Sequence, residues 1–251
     1  MFDKEIEFST HEEYFKTKQD IPIPIKLNIP EWYKKLDHTI LNKTIKGCIP
    51  FLDTLTSGYL LKIPQDFFIR HNVYNGQLNI KDSFSTFAMN EFSIFNISKK
   101  INLNHGNDVH PITQVGGKEC PFVDKNKNLP FYKILNPWRI KTPRGYSCLF
   151  VPPLNNSDDR FSIISGIVDT DVFPVEINFP IIINGDKYPV LEDTIKKGTP
   201  YVQVIPFKRD NWKMSIKPIK ESEIKHSIWK YEGFNLLHKY KNLFWKKKLW
   251  K

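Results

Sequence analysis

Two carboxylates one residue apart, Asp169 and Asp171, stand in the run Gly166-Ile167-Val168-Asp169-Thr170-Asp171-Val172-Phe173. On an extended strand they would face the same side, roughly 7 Å apart. Two such carboxylates can hold a divalent cation or divide into general acid and general base, and they are the catalytic candidates of this chain. The competing reading is a tight turn in which each Asp accepts from backbone amides, a common use of Asp beside Thr. Upstream, Trp138, Arg139, Arg144 and Tyr146 group aromatics with cations. A nucleobase would stack on Trp138 or Tyr146 while Arg139 or Arg144 meets phosphate. The alternative puts Trp138 in the core with its cationic neighbours reaching outward.

A third constellation is His105, Asp108 and His110 in His-Gly-Asn-Asp-Val-His. Two histidines and a carboxylate are the donor set of non-haem iron sites, so they are the metal candidates, although residues of this kind in a polar loop are more often solvated. Cys148, between Ser147 and Leu149-Phe150, reads as a buried inert thiol rather than a nucleophile. The chain has no nucleophile elbow, phosphate-binding loop or dinucleotide-binding glycine pattern.

The elements that must position these residues are strands. Eighteen prolines against eleven glycines, with aromatic and β-branched runs between them, argue for many short strands and turns. Strand, helix, strand alternation is missing through the middle, so an antiparallel sandwich, jelly roll or barrel is favoured over a parallel doubly wound sheet. Residues 1–44 read as an N-terminal arm, extended over 18–33 by its prolines, with a short helix starting at Pro30. Residues 45–215 form the β core. Residues 216–251 form a basic amphipathic C-terminal helix, with Ile224, Ile228, Tyr231, Leu236, Tyr240 and Leu243 recurring at helical spacing. That stripe is expected to pack on the sheet and leave the lysines solvated, which ranks nucleic-acid or membrane binding by the Lys239–Lys251 tail lower.

Length and 40% hydrophobic content, with 19 Phe, are enough for a substantial core without staples. Three widely spaced cysteines indicate neither a disulfide framework nor a zinc ribbon. The opening Met-Phe-Asp-Lys-Glu-Ile-Glu-Phe is no signal peptide, and no apolar run reaches bilayer length, so a soluble cytoplasmic protein is expected. A formal charge of +10 suits a polyanion partner, but the Lys, Ile and Asn richness is also what an AT-rich genome produces.

Three segments in order resemble the β-clip fold of the dUTPase and dCTP deaminase superfamily: Pro143-Arg144-Gly145-Tyr146, Gly166–Phe173, and Gly198-Thr199-Pro200-Tyr201-Val202-Gln203-Val204. The resemblance implies a nucleotide or other small anionic ligand near Asp169, Asp171, Arg144 and Gln203, with Asp169 orienting a water. The chain departs from that superfamily after Tyr146, where Ser147-Cys148-Leu149 replaces the phosphate-binding Arg-Ser-Gly, and in its lysine-rich C-terminus. Over the whole chain, Ile29-Pro30-Glu31-Trp32-Tyr33-Lys34, Asn136-Pro137-Trp138-Arg139-Ile140-Lys141-Thr142-Pro143, the following Gly145-Tyr146-Ser147-Cys148-Leu149-Phe150, and Ser165–Asp171 resemble an uncharacterised family of marine bacteria and tailed phages. If phage-encoded, the protein would act in host cytoplasm.

Three functions are therefore expected to compete. The leading one is binding of a nucleotide or small anion on a dUTPase-like β scaffold, with a divalent cation as the cofactor class the paired acids invite. Next is a structural or interaction protein of an oligomeric phage assembly, a homo-oligomer whose arm clasps a neighbour. The third is a cupin-like metal-dependent enzyme built on the histidine loop.

Overall fold

The structure, a computed structural model, describes residues 4–18, 20–74, 77–78, 84–87, 109–110, 112–115, 119–127, 129, 131–232 and 239–251. Its elements in chain order are β1 (Glu7–Ser9), α1 (Glu12–Lys16), β2 (Ile23–Pro24), α2 (Glu31–Lys35), α3 (Ile49–Thr56), β3 (Tyr59–Lys62), β4 (Phe67–Tyr74), β5 (Gln77–Leu78), β6 (Phe84–Phe87) and β7 (Val109–His110). There follow α4 (Pro121–Lys125), β8 (Phe131–Ile134), β9 (Arg139–Lys141), β10 (Tyr146–Val151), β11 (Phe161–Ile163) and β12 (Gly166–Val168). The last are β13 (Phe179–Ile183), β14 (Val190–Ile195), β15 (Pro200–Lys208), α5 (Glu221–Glu232) and α6 (Lys239–Leu243). The protein is mainly β with antiparallel strand pairing and a C-terminal helix, the class that the proline and β-branched pattern predicts. Among the described residues no helix is long and apolar enough to cross a membrane.

Two compact units divide the chain: Met1–Ile23 with Gly58–Lys208, and Pro24–Ser57 with Arg209–Lys251. In the first unit, strands run in the orders β12-β10-β15-β3, β11-β13-β8-β7 and β14-β4-β5, with β6 also on β4 and β1 paired to β9. All these sheets contribute to one core. Leu61 of β3, Phe67 and Ile69 of β4, Cys148 and Phe150 of β10, Phe179 and Ile181 of β13, and Val202 and Val204 of β15 are buried together. Each large apolar side chain so buried contributes about 1.5–3 kcal/mol. Strand β14 shows the period of two: Leu191 and Ile195 turn inward while Glu192 turns outward and pairs with Arg70 on β4, N···O 3.1 Å.

Among the described residues three glycines hold positive φ, Gly58 at 83°, Gly145 at 83° and Gly198 at 84°, and each lies just before one of β3, β10 and β15. The register of β15 against β3 shifts between Pro200 and Val202, a bulge that leaves consecutive Tyr201 and Val202 both buried.

The second unit has its own packing. Pro30 precedes α2 as the proline pattern predicts, and buried Tyr33 stacks on Phe51 of α3 with ring centroids 5.8 Å apart. Asp53 accepts from Trp245 Nε1 at 3.1 Å and from Lys248 Nζ, tying the two halves of the unit together. Residues 209–220 form neither helix nor strand and are exposed throughout. The apolar stripe of α5 does not pack away as expected: Ile224, Ile228 and Tyr231 are all exposed, while Leu236 lies outside the described residues.

Candidate functional site

The Asp169–Asp171 segment lies beyond the end of β12 and forms a turn, not a strand. Val172 N and Phe173 N both donate to the Asp169 carbonyl, at 3.1 and 2.9 Å. This turn faces a second one, Pro143-Arg144-Gly145-Tyr146, closed by Tyr146 N donating to Pro143 O at 3.1 Å. The positive φ at Gly145 allows that reversal without a Cβ penalty.

Side chains bracket the two turns together. Gly145 N donates to Asp171 Oδ2 at 2.8 Å, and Ser147 Oγ donates to Asp169 Oδ1 at 2.6 Å. Between them, Thr142 Oγ1 lies 2.7 Å from Thr170 Oγ1, with both residues buried, and Thr142 Oγ1 also donates to Tyr146 O at 3.2 Å. The same Thr170 Oγ1 donates to Cys148 Sγ at 3.3 Å, which leaves the thiol its own proton. Burial pushes the Cys148 thiol up to about 11, so it keeps that proton and is no nucleophile. The pair of acids thus supplies charged acceptors that fasten one loop to another.

The other residues proposed from sequence fall in different environments. Trp138 is buried, edge-on to Tyr14 with centroids 6.2 Å apart and beside Leu135, so its ring is core rather than a stacking platform. Gln203 is completely buried and its Oε1 accepts from Leu154 N at 2.9 Å, which fixes the turn after β10. Arg139 on β9 and Arg144 in the turn are exposed. The face of the Tyr146 ring is covered by Lys4 Nζ, 4.1 Å from its centroid. His110 Nδ1 lies 2.8 Å from Gln114 Oε1, while His105 and Asp108 lie outside the described residues. Among the described residues no three His, Cys, Asp or Glu side chains converge as metal ligands do.

Sequence reasoning misses a buried polar group in the same unit. Tyr14 Oη, Tyr201 Oη and Asp20 Oδ2 are all buried without hydrogen-bond partners. They interact electrostatically: burial first, then the Asp20 charge, pushes the Tyr14 hydroxyl well above its ordinary range, and burial does the same to Tyr201. Burial also raises the Asp20 carboxyl to about 6, against the opposing pull of Lys197 and Lys62. No periodicity marks this trio, because Tyr14 sits on α1, Asp20 in a turn at φ 54° and Tyr201 at the β15 bulge. A second set is the Arg160 fork, which holds Asp158 through Nε at 3.0 Å and Nη2 at 2.6 Å and reaches Asp193 through Nη1 at 2.5 Å. It closes the loop entering β11 onto β14.

Comparison with protein-family models, curated proteins and solved structures finds no match to this chain.

Proposed function

We propose that the protein is an interaction protein, of the kind a phage or bacterial assembly uses, whose working surface lies in the second unit. The β unit serves as its scaffold. The observation that carries this reading is the segment 209–220, where Trp212, Met214 and Ile216 are 90%, 83% and 86% exposed. Exposed apolar side chains concentrated in this way mark a surface that another body covers. The nucleotide reading on a dUTPase-like scaffold has less support, since Trp138 and Gln203 are buried and Asp169 and Asp171 brace loops. The metal-enzyme reading has no converging ligand set among the described residues.

Two measurements test the proposal. The native protein should bind a hydrophobic dye, and Trp212→Ser, Met214→Ser and Ile216→Ser together should remove most of that signal. A native protein that binds no dye covers these side chains itself and has no such surface. A thermal-shift series with nucleoside phosphates and Mg²⁺ should show no stabilisation; one that vanished in Asp169→Ala would restore the ligand-binding reading.

A further inference from the structure

The net positive charge of this chain is confined to one of its two units. Residues 24–57 and 209–251 carry seventeen Lys and Arg against seven Asp and Glu, a net charge of +10. The rest of the chain carries twenty of each sign and is neutral. Genome composition would enrich lysine in both units alike and does not account for this segregation.

The charged unit is also where exposed apolar side chains concentrate. Leu27, Ile40, Leu41, Trp212, Met214, Ile216, Trp229 and Leu249 all belong to it and are exposed. In the segment from Trp212 to Lys217 apolar residues alternate with Lys213, Ser215 and Lys217, and all six are exposed. Helix α5 adds apolar surface rather than charge: Ile224, Ile228 and Tyr231 are exposed at helical spacing, while its three Glu outnumber its two Lys and Lys225 pairs with Glu221 at 2.8 Å.

We propose that the second unit binds the surface of an anionic lipid bilayer. The inference rests on the interaction reading above and gives the partner its chemistry. A second copy of the chain fits poorly, because a +10 surface repels its own image and the other unit offers no net negative charge. A nucleic acid would satisfy the lysines and stack on the tryptophans, but it offers nothing to the exposed Leu, Ile and Met side chains. Anionic headgroups above an apolar acyl layer satisfy all three: lysines at the phosphates, indoles at the interface, aliphatic groups just beneath.

The experiment is vesicle flotation of the full chain, on phosphatidylcholine alone and on phosphatidylcholine with about one third phosphatidylglycerol, with an oligo-dT anisotropy titration in parallel. Binding is expected on the anionic vesicles only, and should fall steeply at about 1 M salt, where charges are screened beyond about 3 Å. The Trp212, Met214, Ile216 serine variant should bind about tenfold more weakly or worse. Lys213→Glu with Lys217→Glu should lose the preference for anionic vesicles. These positions are exposed, so circular dichroism should show an intact fold. Tight oligo-dT binding without vesicle binding overturns the lipid inference in favour of nucleic acid. Dye binding without binding to either probe overturns it while leaving the interaction reading standing, and absence of dye, vesicle and oligo-dT binding overturns both.

Discussion

Substituting alanine at each of the three positive-φ glycines should separate backbone strain from steric collision. A Cβ at Gly145 or at Gly198 would meet nothing within 4 Å, so each substitution costs only the left-handed conformation, about 1–2 kcal/mol. At Gly58 the same strain is joined by a collision. Its Cβ would sit 2.2 Å from Val204 O and 3.1 Å from Val204 C. Both are backbone atoms of β15 at the point where Val204 pairs with Tyr59 of β3 and with Phe150 of β10, so no side chain can swing aside. Moving β15 by about 1 Å would weaken one or two buried ladder bonds at roughly 1–3 kcal/mol each. Gly58→Ala should therefore cost about 2–8 kcal/mol in total, strain plus one or two weakened bonds. Urea unfolding of the three variants under one condition measures this as a lower midpoint with unchanged slope. Three costs equal within about 0.5 kcal/mol would refute the reasoning, since they would mean that β15 does not pass over Gly58.

Acid should weaken the fold through His71, which is buried with neither ring nitrogen hydrogen-bonded. Burial, and then the Lys127 charge, holds its pKa below the ordinary 6.5. Its contribution is full above 6.5 and is lost as pH falls through the lower folded value, so His71→Leu should flatten the stability decline that sets in below pH 6.5. An equally steep decline in the variant would assign it to other groups. Asp20 has the opposite sign: raised from 3.8 to about 6, it favours the fold below 3.8 and loses that contribution as pH rises through 6. Asp20→Asn, which tolerates the left-handed backbone, should thus be stabilising at pH 7.5 and nearly neutral at pH 4, as thermal melts would show. Iodoacetamide should label exposed Cys48 on the native protein and reach buried Cys148 only after unfolding, read by peptide mass spectrometry.

Much of the scaffold is legible in the sequence because its signals are local. The glycines before β3, β10 and β15 mark real reversals, and Pro30 marks the start of α2. Asn75-Gly76 lies between Tyr74 and Gln77, which pair across β4 and β5. The candidate site is less legible because its geometry is not local. The Asp-x-Asp spacing suits a strand and a turn equally, and only the arrival of Gly145 and Ser147 from another segment makes the acids loop fasteners. Gln203 sits among apolar neighbours in β15, and its partner, the Leu154 amide, is 49 residues away. The exposed stripe of α5 shows the converse: helical spacing of apolar residues states which face wants cover, without saying that the chain provides it.

The second unit is assembled from two stretches, Pro24–Ser57 and Arg209–Lys251, separated by the Gly58–Lys208 part of the β unit. Synthesis on the ribosome delivers the first stretch long before the second. Tyr33 and Phe51 can stack within the first stretch, but Asp53 must wait while more than a hundred intervening residues emerge before it meets Trp245 and Lys248. Contacts so distant along the chain form slowly, since loop closure precedes any gain from them. The basic unit should therefore be the last part of the nascent protein to mature, a delay that holds its cationic and apolar display incomplete until the β scaffold has had time to fold.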